Sequence, residues 1–177
     1  MTRALVVYES MFGNTGEVAN AVARGIAATG EVDVVDVGAA PTTLPDDVDL
    51  LVVGAPTHAF GLSRPSTRGS AADRAAGEVV STGIGVREWL DSLRPLGTPA
   101  AVTAFDTRVK IPLVPGSAAR RALGTLRRLG FPMLVRSESF FVTGTPGPLR
   151  DGEVERAERW GAKLAAAHAA RRHVRGS

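Results

Sequence analysis

Ala4-Leu5-Val6-Val7-Tyr8, followed by Glu9-Ser10-Met11-Phe12-Gly13-Asn14-Thr15, is the stretch whose reading decides the fold. Its first five residues are almost purely apolar, the pattern of a strand buried on both faces of a parallel sheet. The polar, glycine-bearing segment breaks that run. Val18, Val22 and Ile26 then recur four apart, as on one face of a helix. Asn14 is placed to cap this helix, with Glu17 three residues on to complete a capping box, and Gly30 is placed to stop it. Such a loop at a helix start makes an anion site, because the first turn leaves N–H donors unpaired and the dipole adds partial positive charge. The blander reading of the same residues is a capped helix with no ligand.

Outward from this unit, apolar runs and helical patterns alternate. Val32–Val37 reads as a strand with interspersed polar residues, as near a sheet edge, and a loop marked by Pro41 and Pro45 follows from Gly38 to Asp47. Leu50-Leu51-Val52-Val53 is a fully apolar strand ending at Gly54-Ala55-Pro56. Residues 61–77 lack periodicity and read as a surface excursion. A short amphipathic helix is expected over 86–93, a fourth strand over 99–105 and a basic helix over 118–129 closed by Gly130. A fifth strand is expected over 132–142 and a last helix from Glu153 to about Arg171. Five strands alternating with helices predict an α/β fold, a doubly wound five-stranded parallel sheet in one domain over 1–170. Residues 171–177 read as a basic, disordered tail.

Composition narrows the function. The chain has 177 residues, 44% hydrophobic and 22% charged, enough for one substantial core. The absence of cysteine excludes disulfides, thiolate metal sites and cysteine nucleophiles. His168 and His173 have no partner ligand at suitable spacing, so no metal site is expected. No apolar run approaches a membrane span, and Met1-Thr2-Arg3 leads straight into the first strand, so a cytoplasmic protein is expected. The net charge is +3, and Arg108, Lys110, Arg120, Arg121, Arg127, Arg128 and Arg136 meet no carboxylate between 108 and 136. Without interleaved aromatics or a nucleic-acid motif, this reads as a solvated helix face, or one that docks an acidic protein or anionic substrate, and not as a nucleic-acid site.

The loop at 9–15 has neither a triphosphate P-loop ending nor the G-x-G-x-x-G of dinucleotide folds, and it contains no Lys or Arg. Ser10, Asn14 and Thr15 offer polar side chains, and Gly13 lets the backbone approach. Holding a phosphate by hydrogen bonds alone resembles the FMN-phosphate loop of flavodoxins: Ser10, Gly13 and Thr15 match its pattern, while Phe12 stands where a second hydroxyl is usual. Ser10-Met11-Phe12-Gly13 also resembles the Ser-Met-Tyr-Gly of WrbA-type FMN quinone reductases. Pro56-Thr57-His58-Ala59-Phe60-Gly61 is similar to their Pro-Thr-Arg-Phe-Gly, with His58 in place of Arg and Ala59 added.

This resemblance implies a flavodoxin-like strand order of 2-1-3-4-5. Flavodoxins themselves illustrate the rule that such sheets bind ligand at the strand-order switch, with FMN between the first and third strands. The implied cofactor loops are Ser10, Met11, Phe12, Gly13, Asn14 and Thr15; then Pro56, Thr57, His58, Ala59, Phe60 and Gly61; then Phe105, Asp106, Thr107 and Arg108 after the fourth strand. Phe60 either stacks on the flavin ring or packs in the core. Thr57 and the backbone of His58 and Ala59 are placed to bond the ring's polar edge, and Gly61 lets a peptide turn toward N5. His58 is the candidate catalytic residue, as a charge near N1 or a proton donor; it is equally an ordinary loop histidine. Asp106 either bonds N3 or ends the strand, and Arg108 either faces the flavin or an anionic substrate or belongs to the basic face. Tyr8, Trp89 and Trp160 sit away from these loops, so the outer flavin face is left open or covered by Phe105 or residues 61–77.

The implied function is that of an FMN-binding redox protein, either an electron carrier serving a redox partner protein or a small flavin-dependent reductase of a small acceptor, with NAD(P)H as a candidate donor. The reading from another class is a flavin-free interaction or scaffold domain, in which Phe12 and Glu9 spoil the phosphate site. A signalling receiver of the same topology needs an Asp at the end of the third strand, where Gly54-Ala55-Pro56 stands.

Overall fold

The apolar runs become the centre of a sheet. In the computed structural model, which describes residues 1–58, 61–74, 80–81, 83–95, 100–111 and 116–175, the strands are β1 (Thr2–Tyr8), β2 (Gly30–Asp36), β3 (Leu50–Pro56), β4 (Ala101–Val109) and β5 (Glu138–Val142). They pair in parallel, as the α/β alternation predicts, and in the order β2-β1-β3-β4-β5 that the flavodoxin resemblance implies. The helices are α1 (Asn14–Ala27), α2 (Pro65–Arg74), α3 (Val86–Ser92), α4 (Ala118–Arg128) and α5 (Glu153–Arg175).

Side-chain alternation along each strand divides the core in two. Leu5, Val7, Leu51, Val53, Val102 and Ala104 face α3 and α4. Ala4, Val6, Leu50, Val52, Phe105 and Phe140 face α1 and α5. On that second side α1 and α5 cross closely through two glycines. A Cβ on Gly25 would meet the Glu158 carbonyl oxygen and stand 2.7 Å from the Ala162 nitrogen, and one on Gly161 would meet the Val22 carbonyl. Phe105, Phe140 and Trp160 form an edge-to-face cluster with ring centroids 5.9–6.2 Å apart. The ring of Phe105 occupies the space a side chain at Gly54 would need, with Cε1 at 2.6 Å from a built Cβ.

Several boundaries differ from the sequence expectation. The α1 helix is not capped by Asn14 and Glu17. Its N-cap is Gly13, left-handed at φ 90°, with no side-chain cap bond, and Asn14 turns its amide to the Pro146 carbonyl at 2.6 Å. Nor does Gly30 stop the helix; α1 ends at Ala27 and Gly30 begins β2 beside the Thr2 backbone. Within 61–77 lies α2, entered through Pro65, with Thr67 Oγ1 accepting the Arg64 N–H at 2.8 Å. The fourth strand extends to Val109, and its expected start at Pro99 lies outside the described residues. Of the expected tail, residues 171–175 are instead the end of α5, which continues to Arg175, and residues 176–177 lie outside the described residues. There Arg171 donates to the Met133 carbonyl, and Arg172 donates to the Met1 carbonyl and pairs with Asp49. No described helix is long and apolar enough to cross a membrane.

Candidate functional site

The end of β1 delivers the loop that the sequence singled out. Glu9 still pairs with β3, its N–H donating to the Gly54 carbonyl at 3.0 Å. Ser10 exchanges backbone contacts with Ser81: its N–H donates to Ser81 Oγ at 2.9 Å, and the Ser81 N–H donates to its carbonyl at 2.8 Å. Ser81 Oγ in turn donates to Asp36, so the loop is braced from β2. The chain then reaches left-handed Gly13, whose carbonyl accepts the Glu17 N–H at 2.9 Å. The N–H groups of Phe12 and Gly13 donate to no described residue. Ser10 Oγ is buried with no partner.

A buried hydroxyl left unpaired costs about 1–3 kcal/mol, and an uncapped helix start leaves further donors unmatched. Both costs are relieved by one anionic group at the head of α1. The residues present therefore fit a phosphate, with Ser10, the Gly13 turn and the first N–H groups of α1 as its donors.

Beside this loop, at the carboxyl ends of β1, β3 and β4, opens a cavity of about 410 Å³, within the usual range for a small-molecule site. Of the residues expected at a cofactor site, the structure brings Met11, Phe12, Asn14, Thr15, Pro56, Thr57, His58, Thr107 and Arg108 to its walls. Thr15 and Thr107 join α1 to β4 through their hydroxyls at 2.7 Å. The Thr57 N–H donates to the Thr107 carbonyl at 3.0 Å, carrying the β3–β4 pairing into the loop. Arg108 is steadied by a 2.7 Å bond to the Gly116 carbonyl.

Others of the expected set stand elsewhere. Ser10, Gly13 and Gly61 flank the cavity without lining it. Phe105 is fully buried in the aromatic cluster on the α1–α5 side and does not line the cavity. It lies inside β4, where alternation turns it inward. Asp106, also in the strand, points to the other face. Its Oδ2 accepts from Thr57 Oγ1 at 3.0 Å, Ser117 Oγ at 2.5 Å and the Ala119 N–H at 3.2 Å, so it ties α4 to the sheet. Ala59 and Phe60, also expected there, lie outside the described residues.

The cavity has further walls beyond the expected loops. Thr67 and Ser70 come from α2, Val109 and Val142 from the strand ends, and Gly144, Thr145 and Pro146 from the segment after β5. In sequence, Thr143-Gly144-Thr145-Pro146-Gly147-Pro148 is most simply a turn before the last helix, and one that could also border the ring. The Asn14–Pro146 bond now fastens it to the start of α1. The sequence holds no signal of this contact, because there Asn14 looks like a cap.

Two titratable groups shape the electrostatics. Glu9, fully buried, turns away from the cavity: it accepts from Ser63 Oγ and, at 2.9 Å, from the Val86 N–H. Burial raises its pKa, opposed by those bonds and by Arg68, which donates to Ser63 Oγ at 3.0 Å and pairs with Glu88 at 3.2 Å. Glu9 therefore does not face an anion in the cradle. His58 forms a reciprocal backbone pair with Gly61, both bonds 2.8 Å, that closes a tight loop. Burial lowers its pKa, helped by the nearby Arg68 charge, so its imidazole is neutral near pH 7. Tyr8 packs against Gly16, Trp89 is buried with its N–H on the Pro41 carbonyl, and Trp160 lies in the aromatic cluster. Phe12 is thus the aromatic wall among the described residues.

Comparison with known proteins agrees with this architecture. The flavodoxin family model matches residues 6–79, from mid-β1 through α2. Oxidised flavodoxin 1 from Bacillus cereus is similar over 93% of this chain and 98% of its own, at 21% identity and a TM-score of 0.65. The flavodoxin of Streptococcus pneumonia TIGR4 matches over 93% and 99%, at 18% identity and a TM-score of 0.64. The flavodoxin WrbA-like protein of Agrobacterium tumefaciens matches over 96% and 98%, at 18% identity and a TM-score of 0.55. No curated protein matches the sequence.

Proposed function

Taking the chain as a flavodoxin-like protein, we propose that it binds FMN at the β1–β3 switch and transfers electrons to or from a partner protein. The observation that carries this reading is the uncapped head of α1, with left-handed Gly13 and the unpaired Ser10 hydroxyl, beside a cavity of about 410 Å³. When bound, FMN supplies the redox chemistry, and the protein supplies binding, orientation and electrostatics.

Ser10, Thr15 and the loop N–H groups hold the phosphate. The walls from Phe12, the 56–58 loop and the 144–146 segment set the plane of the ring. His58 offers a neutral imidazole to it, able to donate or accept one hydrogen bond, while Arg108 supplies fixed positive charge. The flavin-free alternative has Phe12 and Glu9 spoil the phosphate site, and against its second half Glu9 is held on Ser63 and Val86 instead.

A second reading, a small reductase, is favoured by the hydroxyl wall of Thr67, Ser70 and Thr145, which leaves polar room beside the ring for an acceptor. Visible spectra of the purified protein before and after adding FMN test the main reading. A protein-bound flavin band after gel filtration is expected, and a colourless protein with unquenched FMN in the flow-through refutes it. Oxidation of NAD(P)H coupled to reduction of an added quinone separates the reductase from the carrier.

A further inference from the structure

A second groove, of about 330 Å³, lies along the outer edge of α4, bounded by Arg120 and Arg127 on the helix and by Arg136 on the segment entering β5. Its floor includes apolar surface from Leu123, which is buried, and Met133, which is 38% exposed, together with the bare backbone at Gly124. The guanidinium groups of Arg120, Arg127 and Arg136 make no hydrogen bond or ion pair with any described residue.

Helix stability accounts for only part of this arrangement. Arg127 and Arg128 sit in the last turn of α4, where cations complement the dipole. Arg120 and Arg121 sit near its start, where cations are disfavoured, and the first turn carries no acidic residue to offset them. Arg121 has a local use, its stem lying against Gly61; Arg120 has none. Positive charge also continues to the cavity mouth, because Arg108 lines the cavity and is bonded to Gly116 just before α4.

We propose that this groove docks an acidic segment of a partner protein, with carboxylates on Arg120, Arg127 and Arg136 and an apolar side chain between them on Leu123 and Met133. Guanidinium groups bind carboxylates through paired N–H donors, and unpaired positive charge speeds encounter with an oppositely charged surface. The apolar floor distinguishes a protein segment from a bare polyanion, which has nothing to bury there. The electron-transfer reading supplies only the purpose of docking; the binding itself stands without it.

The test uses the full isotope-labelled chain, with and without FMN, titrated with the peptide acetyl-Glu-Glu-Leu-Glu-Glu-amide and with an all-glutamate peptide of equal charge. Amide shifts confined to 120–127 and 133–137 are expected, with the leucine peptide bound more tightly. Arg120→Gln combined with Arg127→Gln, and separately Arg136→Gln, should weaken binding about tenfold while FMN binding is unchanged. Met133→Ser should erase the preference for leucine. Shifts spread over Arg171, Arg172 and the other surface arginines, equal binding of both peptides, insensitivity to the arginine variants, or tighter binding of single-stranded DNA or anionic vesicles through the same residues would each overturn the proposal. If FMN fails to bind while the peptide result holds, the electron-transfer reading falls and the groove stands.

Discussion

Replacing Gly161 by alanine sets two effects of the same methyl group against each other. Gly161 lies in the middle of α5, where alanine is intrinsically better by about 1 kcal/mol. Against that, its new Cβ would stand 2.9 Å from the Val22 carbonyl carbon, and closer still to the oxygen, where ordinary contact begins at 3.4 Å. Neither atom can rotate away, because both belong to the α1 backbone, so the two helices must part by more than half an ångström. Inserting a methyl into a packed interior costs about 1–3 kcal/mol, and backbone against backbone belongs at the upper end. The net expectation is a loss of about 2 kcal/mol, or about 4–8 °C in Tm for a chain of this size.

Gly69→Ala is the control. It adds the same methyl in α2, where nothing lies within 4 Å, and should gain up to about 1 kcal/mol. Urea unfolding of the FMN-free protein measures both. Val22 lies two turns, about 12 Å, along α1 from the phosphate loop, so Gly161→Ala should also weaken FMN binding. A Gly161→Ala protein as stable as the parent, with Gly69→Ala stabilised, would refute the close crossing of α1 and α5.

Ser10→Ala removes a buried hydroxyl with no partner; the FMN-free protein should gain about 1 kcal/mol in urea unfolding, while fluorescence titration should show FMN bound about tenfold more weakly. Unchanged affinity would take Ser10 out of the cradle. Glu9, with its folded pKa raised by burial above 4.5, holds its proton more firmly folded than unfolded. Stability should therefore fall as pH rises above about 4.5, and Glu9→Gln, which keeps the shape, should flatten that part of the stability–pH curve. His58, lowered by burial below 6.5, has the opposite sign: stability should fall as pH drops through about 6.5 and below, and His58→Gln should remove that dependence.

The buried strands were legible because parallel strands leave almost nothing but branched apolar residues, as in Leu50-Leu51-Val52-Val53, while their order followed only from the resemblance of the loops. The head of α1 was legible as an anion site, but not its manner: Asn14 looks like a cap in sequence, and only the fold brings Pro146 within reach of it. The α2 helix was missed because its exposed residues carry no apolar stripe; tertiary ties such as Arg68 to Glu88 and Ser63 hold it. Phe105 was misread for a related reason. Polar Asp106 and Thr107 look like the end of a strand, yet Ser117 and Thr57 bond one carboxylate oxygen of Asp106 and Thr15 bonds Thr107 inside it, and the strand runs on. Continuing the strand turns the phenyl ring away from the ligand side.

That ring also limits where the sequence can drift. Position 54 is the place where a receiver domain would carry its phosphorylatable aspartate, and here the phenyl group of Phe105 fills the volume that any such side chain requires. Positions 54 and 105 therefore behave as one variable, so that enlarging the first demands shrinking the second. A side chain at position 54 thus disturbs the aromatic cluster before it can offer any new chemistry.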